Sequence, residues 1–381
     1  MRTKPLTRSS VLDVLRQLIA VPSVNPTLAP HEGQGEGNIA TFVNNWFASK
    51  GVRSWSDEVA PKRFNAVAQL GEGQGAALVF CAHLDTVSTD GMSIPPFEAR
   101  CEGNRVYGRG SYDMKGGAAA IMSAMAALAL DPPRGKVFAA LVADEEYASI
   151  GAQHFVAHYK ADACVLTEPS EGSLILCHKG FVWAEIETRG RAAHGSRWDL
   201  GVSAIGKMGK IVTALEDFDR QQLRRRVHPQ VGPASQHSSL IAGGSGLSTY
   251  AESCTLKVER RTLPGETPEQ VIRELHEVVS STGEKAKIRL LLDRPPLTCS
   301  RDANIASCLR TAVTSTLGKP PPEAGVSYWM DAALFAAAGM DTIDYGPTGG
   351  GAHEAVEWVD LDSVVNCAAI LTETAGLFCN E

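Results

Sequence analysis

The segment Lys136–Ala152, KVFAALVADEEYASIGA, carries the two features on which the fold prediction rests. Its first part, from Val137 to Ala143, is a run of apolar residues, as is typical of a buried strand. The run ends directly in three acids, Asp144, Glu145 and Glu146. In open α/β sheets, functional sites form where loops leave the carboxyl ends of the strands. The segment therefore predicts a buried strand that delivers carboxylates to such an edge.

Strand-like and helix-like segments alternate on both sides of this one, from the N-terminus to about residue 178. An amphipathic first helix, capped by Ser9 or Ser10, is followed by predicted strands and helices. The predicted strands are 76–81, 136–143 and 163–167, and the predicted helices are 116–130 and 154–159. This alternation is typical of an α/β layer structure with a mainly parallel sheet.

The pattern changes at Gly180, where GFVWAEIETRGRAAHG alternates apolar and polar residues like a half-exposed strand. Helices are predicted over 203–218 and 268–280, a loop over 241–253, and a strand on either side of the second helix. A β-α-β-β-α-β order of this kind is typical of a ferredoxin-like α+β domain. We therefore predict a discontinuous core domain, residues 1–178 and 295–381, interrupted by an inserted domain over residues 179–294.

Composition excludes several other classes of protein. The net charge of −7 does not indicate a nucleic-acid-binding surface. The nine cysteines are scattered and contain no C-x-x-C pair, which favours a reducing compartment and argues against a cysteine-ligated zinc. The N-terminal segment lacks the uninterrupted apolar region of a signal peptide, and the apolar stretch 116–130 is shorter than the ~20 residues that span a bilayer. We expect a cytoplasmic protein without a membrane partner.

Further acids and histidines stand at positions comparable to that of the acidic block. Each follows an apolar strand, opens a helix or lies in a loop of small residues, where a ligand can approach. They are His83 and Asp85 in FCAHLDTV, Asp113 in VYGRGSYDMKGG, Glu168 in CVLTEPS, His194 in GRAAHGS and His353 in GGGAHEAVEW.

Each of these clusters also has a simpler explanation when it is taken alone. His83 and Asp85 could form a surface pair at the end of a strand. Asp113 stands where helices are commonly capped by an acid. Glu145 and Glu146 would be favourable at a solvated helix N-terminus.

Taken together, these residues predict a metal site. Their oxygen and nitrogen ligands, without a thiolate, suit Zn²⁺ or a similar first-row ion. Three carboxylates and two histidines are enough for two ions that share one bridging acid. Rival hydrolase motifs are absent from the sequence: there is no G-x-S-x-G, and HEAVE has Glu357 where the zincin motif requires a second histidine.

A set of segments spread over nearly the whole chain resembles the co-catalytic zinc aminoacylase/carboxypeptidase family. That family includes acetylornithine deacetylase, succinyl-diaminopimelate desuccinylase and glutamate carboxypeptidase. The segments, in family order, are HLDTV, YGRGSYDMKGG, ADEEYASIGA, TEPS, RGRAAHGS, RRTLPGE, YWMDAALFAAAG and GPTGGGAHEAVEWV.

The resemblance implies a zinc-hydrolase catalytic domain that holds two divalent ions. Asp113 is expected to bridge them, with His83 and Glu168 completing one site and Glu146 and His353 the other. We expect Zn²⁺, with Co²⁺ or Mn²⁺ as alternatives.

The resemblance also implies roles for residues that do not bind metal. Asp85 is expected to orient His83, and Glu145 to act as the general base. The inserted domain is expected to form a homodimer, in which His194 reaches the partner subunit's active site and helps to hold the oxyanion. Arg261 matches the arginine that pairs with a substrate carboxylate, a contact that its planar guanidinium suits.

These expectations define a dinuclear metal-dependent amidohydrolase that uses a metal-activated bridging water. Its predicted reaction is cleavage of the amide bond of an N-acyl amino acid, or release of a C-terminal amino acid from a short peptide. Glu168 supports this, since deacylases and carboxypeptidases of the family tend to have Glu there and aminopeptidases Asp. The alternatives are a dipeptidase of the same family and a catalytically silent relative that binds an amino acid.

The sequence departs from the family pattern at three positions near predicted substrate contacts. Ser248 stands where many relatives have Asn, Ala251 lies in a segment that is often VVP, and Met330 replaces a common Thr. The identities of the acyl group and of the amino acid therefore stay open.

Overall fold

A computed structural model describes residues 6–380 and divides into two compact units. Unit 1 contains the described residues up to Leu176, Thr298–Ala324 and the described residues from Met330 onward. Unit 2 contains Cys177–Leu297 and Gly325–Trp329. The assignment of catalysis to one unit and of dimerisation to the other stays a prediction.

The helices and strands are numbered here in chain order. Those before residue 179 are α1 (Arg8–Ala20), α2 (Gly37–Ser49), β1 (Arg53–Ala60), β2 (Arg63–Leu70), β3 (Leu78–His83), β4 (Arg100–Glu102), β5 (Arg105–Tyr107), α3 (Gly116–Leu128), β6 (Val137–Val142), α4 (Ile150–His158), β7 (Ala163–Leu166) and β8 (Leu174–His178). Those of the middle segment are β9 (Gly180–Arg189), α5 (Ala204–Gln221), β10 (Val227–His228), β11 (Gly232–Pro233), β12 (Ser235–Gly243), β13 (Ser253–Thr262), α6 (Pro268–Ser281) and β14 (Ala286–Arg294). The last are β15 (Leu297–Thr298), α7 (Asn304–Leu317), β16 (Glu323–Val326), α8 (Ala332–Ala337), β17 (Asp341–Asp344), β18 (Gly349–Gly350), β19 (Trp358–Asp360) and α9 (Leu361–Cys379).

The large sheet has the order β1-β2-β6-β3-β7-β17-β8-β15, with β16 also paired to β8. Strands β6, β3, β7 and β17 run parallel to one another, while β1, β2 and β8 pair in the antiparallel sense. Every residue of β3, β6 and β7 is buried, which explains their uninterrupted apolar sequences. The predicted α/β class with a mainly parallel sheet is confirmed.

Helices α1, α3, α7 and α9 pack together in unit 1. The alanine-rich α3 is buried over most of its surface, because small side chains let it approach its neighbours closely. Helix α9 is long and apolar enough, by length and composition, to cross a membrane. Its apolar residues instead contribute to the core of unit 1 beside those of α3 and α7.

Unit 2 contains the antiparallel sheet β12-β13-β9-β14 and the helices α5 and α6. Val182, Ala184 and Ile186 of β9 lie in the unit's core with apolar residues of both helices. The predicted β-α-β-β-α-β order is therefore found, with the short hairpin β10–β11 added before β12.

Several predicted boundaries differ from the structure. The first helix is capped by Thr7, and Ser9 and Ser10 lie inside it, because Thr7 and Ser10 form a reciprocal capping box. Strand β3 continues through His83, since Ala82 and His83 still pair with β6. Strand β12 ends inside the segment 241–253 that was predicted as a loop.

Candidate active site

The ends of three parallel strands bring the predicted acids and histidines of unit 1 together. His83 is the last residue of β3, the acidic block follows β6, and Glu168 follows β7 after one intervening residue. Because these strands are parallel and adjacent, their carboxyl ends meet at one edge of the sheet. The topology therefore supports a shared site at this edge of the sheet.

Asp113 lies at the centre of this cluster, in the turn before α3. Its Oδ1 is 3.0 Å from Nε2 of His83, and its Oδ2 is 3.2 Å from Nε2 of His353. The same nitrogen of His353 is 3.3 Å from Oε2 of Glu146. One carboxylate thus faces two imidazoles on its two sides, which is the arrangement expected of an acid shared between two ions.

Glu168 and Glu145 lie on the His83 side of the cluster. Oε1 of Glu168 is 3.8 Å from Nε2 of His83. Potential ligand atoms of His83, Glu145 and Glu168 all lie within 4.8 Å of one another, as do those of His83, Asp113 and Glu146. His83 is common to both groups, so the two halves of the cluster are contiguous.

Asp85 contacts His83 differently from the prediction. With Nδ1 protonated, the ring donates to the main-chain carbonyl of Asp85 at 2.9 Å, which leaves Nε2 facing Asp113. The carboxylate Oδ1 is 3.7 Å from Nδ1, too far for a hydrogen bond. It accepts instead the backbone N–H groups of Glu145 (3.1 Å, Oδ1) and Glu146 (3.3 Å, Oδ2). Asp85 therefore fixes the His83 ring through its backbone and the acidic turn through its side chain.

The cluster contains more carboxylates than its own cationic groups can balance. Over residues 6–380, no lysine or arginine forms an ion pair with Asp113, Glu145, Glu146 or Glu168. The Oε1 atom of Glu146 is buried and has no hydrogen-bond partner in that range. A buried charge without a partner is costly, and hard oxygen and nitrogen donors suit a divalent first-row cation. The residues therefore fit a pair of metal ions.

The pKa values reflect the same excess of negative charge. Burial, and then the nearby Glu168, raises the pKa of Glu145 well above its ordinary range. Burial raises the pKa of Glu168, and burial followed by Asp113 raises that of Glu146. Hydrogen bonds to Asp113 and Glu146 raise the pKa of His353 to about 10. Perturbed pKa values of this kind are typical of functional sites.

Glu357 is a buried carboxylate of this region, and no role for it is predicted from the sequence. It accepts backbone N–H groups from Gly110 (2.9 Å), Tyr112 (2.9 Å) and Asp113 (3.0 Å), and Arg109 donates to it at 2.8 Å. Since Glu357 follows His353 by four residues, it ties the His353 loop to the Asp113 turn. The only sequence signal was its place in HEAVE, where it marked the mismatch to a zincin motif.

His194 and Arg261 belong to unit 2 and are described within it. The exposed His194 forms a hydrogen bond through Nδ1 with the Ser196 hydroxyl at 2.8 Å. Arg261, on β13, pairs with Glu259, and its guanidinium lies 5.4 Å from the centre of the Phe181 ring. Their predicted contacts with the oxyanion and the substrate carboxylate stay predictions.

Similarity to proteins of known sequence and structure agrees with this geometry. Residues 79–376 match the Peptidase_M20 model, described as peptidase family M20/M25/M40. The chain is 32% identical to acetylornithine deacetylase of Vibrio vulnificus over 262 residues, which are 67% of this chain and 69% of that protein. It is 28% identical to acetylornithine deacetylase of Edwardsiella ictaluri over 387 aligned residues, covering 98% of each.

Solved structures show the same fold at lower identity. Aminopeptidase PepT of Bacillus cereus superposes with a TM-score of 0.80 at 17% identity, covering 98% of this chain and 99% of that one. The dinuclear metal-binding M20 peptidase YXEP of Bacillus subtilis superposes with a TM-score of 0.75 at 15% identity, covering 97% of each. The chain is thus a hydrolase of amide or peptide bonds and belongs to peptidase family M20/M25/M40.

Proposed function

We propose that this hydrolase cleaves the amide bond of an N-acyl amino acid with the help of two divalent metal ions. The observation that carries the proposal is the position of Asp113, whose two oxygens face His83 and His353. The names of the sequence relatives, acetylornithine deacetylases, support an N-acyl amino acid as the substrate class. Release of a C-terminal amino acid from a peptide breaks the same kind of bond. It is the alternative reaction to be tested beside deacylation.

The ligands divide into two sets around Asp113. His83 and Glu168 would hold one ion, and Glu146 and His353 the other. Bound ions of this kind polarise a carbonyl oxygen and lower the pKa of a coordinated water. We propose Zn²⁺, because nitrogen and carboxylate donors without a thiolate suit it; Co²⁺ and Mn²⁺ accept the same donors.

Glu145 is the group that we propose to move the proton. Burial and the adjacent Glu168 increase its affinity for a proton, and no side-chain ion pair engages it in the described part of the chain. It would take a proton from the attacking water as the carbon–oxygen bond forms. It would then return that proton to the amine nitrogen as the carbon–nitrogen bond breaks.

Two residues of unit 2 complete the proposal. Arg261 would bind the carboxylate of the amino acid through its fork of N–H donors. His194, supplied by the partner subunit, would donate to the oxyanion. Ser248, Ala251 and Met330 distinguish this chain from its relatives, and a substrate other than acetylornithine is compatible with the proposal.

A substrate panel with and without chelation tests this function. Purified protein is assayed on N-acetyl and N-succinyl amino acids, including N-acetylornithine, and on dipeptides and C-terminally varied peptides. We expect release of a free amino acid from an N-acyl substrate, loss of activity after chelation, and recovery on addition of Zn²⁺. Full activity in the metal-free protein would refute the metal mechanism, and preference for dipeptides would refute the deacylase assignment.

We also propose a homodimer formed through the edge of the unit 2 sheet. Strand β12 lies at the end of the order β12-β13-β9-β14, and its Leu240 and Ile241 are 64% and 59% exposed. An exposed apolar edge strand is a template for pairing with another chain.

Light scattering should give a dimer for wild type, a monomer for the double variant L240K/I241K, and a dimer for the control L291K on the opposite edge strand β14. A dimeric L240K/I241K protein would exclude this edge.

A further inference from the structure

A buried polar network connects the acidic block to the start of β2 and to the segment that precedes α2. Its members are Asn25, Glu36, Arg63, Asp85 and Asp144, each less than one-tenth exposed. Asp144 begins the segment that carries Glu145 and Glu146, and its sequence position alone indicated no role. The contacts of this network assign one.

Arg63 anchors Asp144 from the neighbouring strand. It lies at the start of β2, and its Nη2 donates to Oδ1 of Asp144 at 2.9 Å. Its Nε and Nη2 also donate to the two carboxylate oxygens of Glu36, the residue at the N-cap position of α2. A guanidinium held in this bidentate way has a fixed orientation. Asp144 is therefore attached to a rigid part of unit 1.

Asn25 connects Asp144 to Asp85. Its side-chain nitrogen donates to Oδ1 of Asp144 at 2.9 Å and to Oδ2 of Asp85 at 2.8 Å. Asp85 in turn accepts the backbone N–H groups of Glu145 and Glu146. The backbone N–H of Glu145, the proposed base, is thus held directly by the carboxylate of Asp85. Asp144, which precedes Glu145, is linked to the same carboxylate through Asn25.

Asp144 also shapes the turn itself. Its φ of +69° lies in the left-handed region, which aspartate tolerates better than most residues other than glycine. Its carbonyl oxygen accepts the N–H groups of Ala148 (3.1 Å) and Ser149 (2.6 Å). The chain therefore turns sharply between the end of β6 and Glu145, with Asp144 at the corner.

We propose that Asp144, held by Arg63 and Asn25, is a positioning residue that fixes Glu145 for proton transfer. The proposal rests on the role of Glu145 given under the proposed function. Stability alone is a weaker explanation of the network, because a buried ion pair is often no more stabilising than apolar residues of similar volume. Precise placement of a reacting group, in contrast, affects turnover strongly.

Four variants test the role of Asp144 with the Zn²⁺-loaded protein. D144A removes the contacts of Asp144 with Arg63 and Asn25, D144N keeps an acceptor oxygen, and N25A removes the donor that links Asp144 to Asp85 but leaves the contact with Arg63. D162A is the matched control: Asp162 also accepts a backbone N–H, from Ala77 at 2.7 Å, but before β7 at the amino ends of the parallel strands. We expect kcat to fall about 100-fold in D144A, with KM and metal content unchanged. Smaller losses are expected in D144N and N25A, and none in D162A.

Amide hydrogen exchange supplies a readout that does not depend on turnover. The peptide that contains Glu145 and Glu146 should exchange faster in D144A and N25A than in wild type and D162A, because Asp85, which accepts its N–H groups, is no longer linked to Asp144 through Asn25. Wild-type kcat and exchange rates in both D144A and N25A would overturn the proposal, as would a loss of kcat that follows loss of metal. If D144A does not fold, D144N and N25A decide by the same criteria. Absence of metal-dependent activity in wild type would refute the proposed function instead, and exchange would still report the positioning.

Discussion

At the scale of single residues, Glu145 and Glu146 are adjacent in sequence but lie in different surroundings. Oε2 of Glu146 is 3.3 Å from the His353 ring and its other oxygen has no partner in residues 6–380, as suits a metal ligand. Glu145 is raised in pKa by burial and then by the nearby Glu168, which increases its affinity for a proton. Two carboxylates with different surroundings can take different roles in one reaction.

The variant E145Q separates these roles. The amide keeps the shape of the side chain but cannot accept a proton from water, so we expect kcat to fall by about 10²- to 10⁴-fold. Metal content, measured by mass spectrometry, should equal that of wild type. The control E58Q removes an exposed carboxylate that accepts the Lys62 N–H, and it should keep full activity. Unchanged turnover of E145Q would contradict the assignment of the base.

The shared position of Asp113 leads to a prediction about stoichiometry. D113N loses the charge that faces both His83 and His353, whereas E168Q affects only the His83 side. We therefore expect D113N to retain less metal than E168Q, and E168Q to retain about one ion of the two expected for such a site. Equilibrium dialysis followed by elemental analysis measures both. Equal metal contents in the two variants would show that Asp113 is not shared.

The sequence allows the candidate ligands to be predicted because each signal is local. His83, Glu146 and Glu168 follow apolar runs within a few residues, so a strand prediction is enough to place them. The contacts of Asp144 are not local, since Arg63 lies 81 residues and Asn25 119 residues away. No periodicity connects such residues. The pairing of β2 with β6 brings Arg63 to Asp144, and the bridge between Val24 and Thr86 positions Asn25.

At the scale of elements, Glu357 joins the loop that carries His353 to the turn that carries Asp113. Its carboxylate accepts three N–H groups of the Asp113 turn and forms an ion pair with Arg109. His353 lies on the same loop as Glu357. Strand β19 begins at the next residue and pairs with β5, which precedes the turn. The position of Asp113 relative to His353 is therefore fixed by backbone contacts as well as by side chains.

Substitution of Glu357 should lower both the stability of the protein and its affinity for metal. E357Q leaves the guanidinium of Arg109 buried without its charge partner, and breaking a buried pair in this way typically costs about 3–5 kcal/mol. We expect a lower free energy of unfolding in urea and a higher Kd for Zn²⁺ by calorimetry. E354Q, which changes an exposed side chain on the same loop, serves as the control and should match wild type. A destabilised E357Q protein with wild-type Zn²⁺ affinity would limit Glu357 to a role in folding.

Element prediction succeeded where residues alternate or form apolar runs, and it was wrong at the end of β12, where residues 241–243 belong to the strand and not to the predicted loop. That strand is exposed over most of its length, with buried positions only near its start. A strand without a buried face shows no period of two, so its sequence resembles a loop. The same exposure makes β12 the proposed dimer edge. The exposure that obscures the end of β12 in the sequence is thus the property that gives it an expected function.

At the scale of the whole molecule, the excess of buried acids couples metal binding to stability. A ligand that binds only the folded state stabilises it by about 4 kcal/mol when its concentration is 1,000 times its Kd. Metal removal should therefore lower the melting temperature of the protein. The effect has a defined dependence on pH, because metal and protons compete for the same carboxylates.

In the metal-free protein, stability should fall as the pH rises. Glu145, Glu146 and Glu168 have pKa values above the unfolded value of 4.5, so the folded state binds their protons more tightly and loses this advantage above pH 4.5. The pKa of His353 is raised from 6.5 to about 10, so its stabilising contribution is complete below pH 6.5 and is lost as the pH rises to about 10. Both effects have the same sign within this window.

With Zn²⁺ bound, the dependence should be reversed or abolished, because the ligands must lose their protons to bind metal. We therefore expect the difference in melting temperature between zinc-loaded and chelator-treated protein to widen from about pH 5 to about pH 8. Differential scanning calorimetry at several pH values measures this difference in melting temperature. The variant H353A removes the imidazole, which is one of the two sources of the pH dependence. A difference that stays constant with pH would mean that the buried acids do not exchange protons for metal, and the charge argument for the site would fail.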